Sequence, residues 1–232
     1  MDMIIISLLA TLVFMGVHIL SPRFSLVLSA RIAAASSFGA GIAAAFVFLE
    51  LLPAIEHGHE LIGESIEFVI LGGFIAVFSM HSLAHRVSRE KARTFPIVIL
   101  TAFAYNWLLI YSFPRAGGAY DLVISGLFIL HLAFYDRSIR EEDPIAFDAW
   151  GRWMLVAATF LGWVALWVLG HPGPLLEDVL IGLLAGAIIY QIFTVELSVS
   201  KETRFLWFIG GVVVYVAIFL VGNYFETQGA VA

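Results

Sequence analysis

The chain has 232 residues, 61% of them hydrophobic and 13% charged, with a net charge of -6. So apolar a chain of this length is not a water-soluble domain, and without a basic patch to neutralise phosphates it is not a nucleic-acid partner. Cysteine is absent, which removes disulfides, thiolate metal sites and cysteine redox chemistry together.

Apolar stretches long enough to cross a hydrocarbon core of about 30 Å recur along the whole sequence. The first, Met3 to Leu20, has neither a basic flank before it nor a small-residue cleavage site after it, so it reads as a retained helix and not a signal peptide. The others fall near Ile32 to Leu52, Phe68 to Ala84, Pro96 to Phe113, Leu122 to Tyr135, Trp153 to Leu169, Val179 to Val195 and Leu206 to Val221. Because the bilayer offers no partner to an open backbone group, each reads as a helix. The expectation is an all-α polytopic membrane protein of eight transmembrane helices in one domain, 1–232. The fifth stretch is interrupted by polar groups.

Basic residues set the orientation. Arg23 and Arg31, then Arg86, Arg89, Lys91 and Arg93, then Arg137, Arg140 and Arg152, then Lys201 and Arg204 fall in alternate loops, and only Arg115 in the opposite set. Since Lys and Arg are retained in the cytoplasm during insertion, both termini are expected outside it, in a bacterial inner membrane or a plasma membrane. Acidic residues such as Glu64, Glu67, Glu177 and Asp178 fall in the outer loops, where they would enrich cations unless they are merely solvated.

The second and seventh stretches echo one another. Ala40-Gly41 precedes Glu50-Leu51, and Ala185-Gly186 precedes Glu196-Leu197. Similar helices of opposite sense, placed symmetrically from the two ends, are what a three, two and three inverted repeat would produce.

Glu50, late in the second stretch, is a carboxylate in a setting that demands a cation, a donor or a raised pKa. Pro53 just after it cannot donate a hydrogen bond and is expected to disturb the helix. Glu56, His57, His59 and Glu60 follow around Gly58, and imidazoles with carboxylates suit zinc and other first-row divalent metals. Solvated loop residues are the competing reading.

Asn106, Asp121, His131 and Asp136 supply polar groups at other depths and could mark a route for an ion. His131 and Asp136 are five apart, so they do not share a helical face, whereas His81 and His85 do. Glu196 is explained by pairing with Lys201 or Arg204. Gly72, Gly73, Gly182, Gly186, Gly210 and Gly211 permit close helix approach. No phosphate loop, serine nucleophile or zinc-protease pattern is present, so nothing points to an enzyme.

With Gly41-Ile-Ala-Ala-Ala-Phe-Val-Phe-Leu-Glu-Leu-Leu-Pro-Ala-Ile-Glu56, Ala185-Gly186, Tyr190 and Glu196-Leu197, the chain resembles the ZIP family of metal transporters. The resemblance implies a 3+2+3 inverted-repeat bundle and transport of zinc or a similar divalent cation. The centre departs from that pattern: Ala104-Tyr-Asn-Trp keeps only Asn106 of the family's fourth-span metal motif, and His131-Leu-Ala-Phe-Tyr lacks the Pro-Glu step of the fifth. Three readings follow. The first is a divergent divalent cation transporter, with Glu50 and the outer cluster as metal ligands. The second is a ZIP-derived accessory subunit of a larger membrane complex; a homodimer is the other assembly expected of the chain. The third, ranked last, is a haem protein using two of His18, His85 and His131 as axial ligands.

Overall fold

A computed structural model describes residues 2–27, 32–56, 63, 65–87, 91–112, 119–196 and 205–229. Among these every regular element is helical. Helix α1 is Asp2–Val27. Helix α2 is Ile32–Phe46, continued by a π-helical turn at Val47–Leu51 and a last turn at Leu52–Glu56. Helices α3, α4 and α5 are Ser65–Val87, Lys91–Ser112 and Ala119–Glu142. Helix α6 opens at Pro144–Ala146, widens at Phe147–Gly151 and continues as Arg152–Leu169. Helix α7 is Pro174–Gln191 with a π-helical end at Ile192–Glu196, and α8 is Phe205–Gly229.

Six of these helices are long and apolar enough to cross a membrane, and α1 contributes a shorter apolar stretch, Ser7–Arg23. The apolar windows of α3 and α8 are only 11% buried within the protein. Phe68, Leu206, Trp167 and Val168 are among many exposed apolar side chains, a surface suited to lipid and not to water.

Local sequence explains the helix ends and irregularities. The Asp143 carboxylate accepts the Ala146 N–H at 3.0 Å, with Pro144 in the first turn where its missing N–H does no harm. Gly170, at φ 76°, ends α6 in a conformation that a side chain would resist, and Pro174 starts α7. Pro22 cannot donate to the His18 carbonyl one turn back, and the Ser21 hydroxyl donates to it instead at 3.1 Å. At Pro53 the helix continues, with the turn just before it widened to the π form, so the disturbance expected there is a bulge within a continuous helix.

The most extensive interhelical contacts are α7 on α3 and α8 on α2, followed by α4 on α6 and α1 on α5 and α6. Two reciprocal crossings hold the first pairs together. A Cβ on Gly41 would overlap the Phe208 carbonyl of α8, and one on Gly211 would overlap the Phe38 carbonyl of α2. Likewise a Cβ on Gly186 would overlap the Ile70 carbonyl of α3, and one on Gly73 the Leu183 carbonyl of α7. In each case the glycine meets the carbonyl three residues before the partner glycine. The backbones touch because neither side chain exists. Gly72 and Gly210, which the sequence also offered for close approach, meet no backbone. Between the pairs lies a core that includes the fully buried Phe14, Phe46, Phe95, Phe128, Phe147 and Tyr215.

Candidate functional site

Polar side-chain contacts that join helices in the interior include the following. The Nδ1–H of His18 on α1 donates to the Asp136 carboxylate on α5, 2.9 Å from each oxygen, and both side chains are wholly buried. Among the described residues the His18 Nε2 has no hydrogen-bond partner. On the other side of α5, His131 Nε2 lies 3.1 Å from the Tyr105 hydroxyl of α4. Tyr215 of α8 donates to Glu50 Oε1 at 3.4 Å, near the end of α2.

The Tyr215–Glu50 and Tyr105–His131 contacts are linked by rings. Phe46 meets Phe128 edge-on at 4.6 Å between centroids and Tyr215 at 6.3 Å. Phe128 meets His131 at 5.1 Å, and Tyr105 meets Tyr135 at 5.3 Å. A continuous line of aromatic and polar side chains therefore runs from Glu50 to Tyr135. At the Glu50 end it is closed by packed rings.

Beyond Tyr135 the bundle opens. A cavity of about 280 Å³ lies among α3, α4, α5 and α7, with Tyr135, His81, Glu141, Glu142, Tyr190 and Gln191 in its wall. It sits where α3, α5 and α7 end and α4 begins, opposite the Glu50 end of the bundle. Arg137 pairs with Glu141 at 2.7 Å. Among the described residues no lysine or arginine lines the cavity, and the second carboxylate there, Glu142, adds negative charge to its wall. Gln191 is 1% exposed, and among the described residues neither its amide oxygen nor its amide nitrogen has a hydrogen-bond partner. Left dry, such a group costs about 1–3 kcal/mol; in the cavity wall it is placed to bond what fills the cavity.

The site residues expected from the sequence are scattered. Glu50 contacts Tyr215 and stands apart from the cavity. Asn106 is buried and donates to the Ala102 carbonyl of its own helix at 2.8 Å. His131 and Asp136 point to different neighbours, α4 and α1, as their spacing requires. His57, His59 and Glu60 lie outside the described residues, and of Glu56, His85, Asp121 and Glu196 the backbone alone is described. Among the described residues no three His, Asp or Glu side chains come together as a metal site would need. The sequence reading missed Tyr105, Gln191 and the pairing of His18 with Asp136. A polar side chain inside an apolar stretch was the available signal for Gln191.

The sequence matches no protein-family model and no curated protein. Function therefore rests on the residues themselves.

Proposed function

We propose that the chain is a divergent ZIP-like carrier of divalent metal cations, zinc or a similar ion, with eight crossings in a three, two and three inverted repeat and both termini outside the cytoplasm. The observation that carries this reading is the matched pair of glycine crossings. Exchanging α1 with α6, α2 with α7, α3 with α8 and α4 with α5 carries the Gly41–Gly211 crossing onto the Gly186–Gly73 crossing. The same exchange carries the α4–α6 contact onto the α5–α1 contact, and the π turn after α2 onto the π turn after α7. Carriers built this way expose a central path first to one side and then to the other. A bundle closed by Phe46, Phe128 and Tyr215 at the Glu50 end and open beside Gln191 at the other is an inward-facing arrangement in this scheme.

The test is uptake of zinc, cadmium and manganese by proteoliposomes containing the full chain. Uptake above protein-free vesicles supports the reading, and its absence for all three ions removes it. Loss of uptake in Glu50→Ala places Glu50 on the ion's route, whereas unchanged uptake takes it off.

One observation favours a second reading, a non-transporting ZIP-derived accessory subunit. Among the described residues no three ligands meet in the interior, as a membrane zinc site would require. Native electrophoresis of the solubilised membrane separates the two: co-migration with another membrane complex supports the accessory role, and a free monomer or homodimer counts against it.

A further inference from the structure

We infer that the cavity among α3, α4, α5 and α7 binds a divalent cation with its water shell intact, recognising the waters and not the bare metal. The inference rests on the cation-carrier reading and adds to it the form in which the ion is held.

Four observations lead there. The cavity measures about 280 Å³, room for about nine waters at about 30 Å³ each, enough for an octahedral ion with its first shell. Among the described residues its wall carries two carboxylates and no lysine or arginine, Glu141 being shared with Arg137 and Glu142 not. A dehydrated ion needs four or more oxygen or nitrogen ligands converging at about 2 Å, and no three His, Asp or Glu side chains converge among the described residues. Finally, among the described residues Gln191 keeps an acceptor and a donor unused in the wall. The hydroxyls of Thr101 and Ser138 are already given to carbonyls of their own helices, at 2.9 and 2.7 Å. Coordinated water is a strong hydrogen-bond donor, and the Gln191 carbonyl is an acceptor waiting for one. Ions that shed water reluctantly, as magnesium does, suit such a site better than zinc.

The probe is hexaamminecobalt(III), an exchange-inert complex that imitates a hydrated ion and cannot coordinate a side chain. The measurement is calorimetric titration of the purified full chain in detergent. Magnesium and hexaamminecobalt(III) are expected to compete for one site. Gln191→Leu is expected to weaken both by about tenfold, one lost hydrogen bond to a charged shell, and Gln191→Glu to tighten both. Gln191→Leu removes a buried unpaired amide without changing the volume much, so a melting temperature that holds or rises separates lost binding from lost folding.

Binding of magnesium or zinc without hexaamminecobalt(III) would mean direct coordination and overturn the inference. So would binding that neither Gln191 variant alters, or a site that takes tetramethylammonium instead. Proteoliposome uptake without hexaamminecobalt(III) binding sinks the hydrated site and spares the carrier. Binding of the complex without uptake of any metal does the reverse.

Discussion

The α2–α8 and α3–α7 crossings use the same device and finish differently. Five positions beyond Gly41 stands Phe46, and five beyond Gly186 stands Gln191. Phe46 is 1% exposed and fills its side of the bundle against Phe128 and Tyr215. Gln191 is as deeply buried, yet among the described residues its amide has no partner, and a cavity lies beside it. Equivalent backbone geometry thus carries opposite contents, closed by rings at one end and open at the other. The glycines decide how the helices meet, and the residue one and a half turns later decides whether the space between them is sealed.

The comparison is broken most directly at the glycines. Gly41→Ala and Gly186→Ala each put a methyl group into a carbonyl that cannot move without its helix, and the expected loss is about 3 kcal/mol or more, at the upper end of overpacking. Thermal unfolding in detergent should show the two losses to be alike, and a much smaller loss at Gly186 would end the equivalence of the two crossings. Gly16→Ala and Gly72→Ala meet nothing within 4 Å. As helical positions they should be neutral or stabilised by up to about 1 kcal/mol.

His18→Ala is next. It strands the Asp136 carboxylate in a wholly buried setting, an expected loss of about 3–5 kcal/mol. Removing both groups, as His18→Leu with Asp136→Leu, should recover most of that loss, because no uncompensated charge remains. A double variant no better than the single would mean that the pair is held for its shape and not its charge.

An exchange of contents sharpens the comparison directly. Phe46→Gln opens a void against Phe128 and Tyr215 and should destabilise by about 3 kcal/mol, while Gln191→Phe fills the opposite cavity. Because the chain has no cysteine, a single Thr194→Cys reports on that cavity through thiol labelling. Labelling of Thr194→Cys should slow when Gln191→Phe is added and stay unchanged with Phe46→Gln. Equal rates in all three would show that the cavity is not sealed by the residue at 191.

Much of the scaffold was legible because lipid makes strong demands on sequence. Apolar stretches announced the helices, and the Ala40-Gly41 and Ala185-Gly186 echo, read there as a sign of a repeat, coincides with two of the glycines at which crossings form. The partners of those glycines were not legible. Nothing in Gly210-Gly211 tells which of two adjacent glycines faces α2, since that depends on the rotation of a helix apolar all round. Helix lengths erred at polar ends: α5 runs on to Glu142 past the expected Tyr135, carried by the Arg137–Glu141 pair, and α6 begins at Pro144, where Asp143 caps it and Arg140 holds Asp148. For the site, spacing alone separated His131 from Asp136, but a contact such as His18 with Asp136 joins residues 118 apart and has no local signature. Gln191 was passed over because one amide among apolar residues looks like an interhelical bond until its partner proves missing.

The smallest expected effect falls at the link between the two ends. Tyr105→Phe keeps the ring against Tyr135 and removes only the hydroxyl facing His131, one neutral hydrogen bond worth about 1 kcal/mol. Unfolding should register that small loss, and if the line of side chains from Glu50 to the cavity serves the ion, uptake should fall by more than the stability change explains. Tyr105 lies between the sealed and the open end, so a hydroxyl that merely stabilises would leave the uptake rate per folded molecule unchanged. A fall in that rate with the melting temperature almost preserved would place the Tyr105–His131 contact on the route between the two ends.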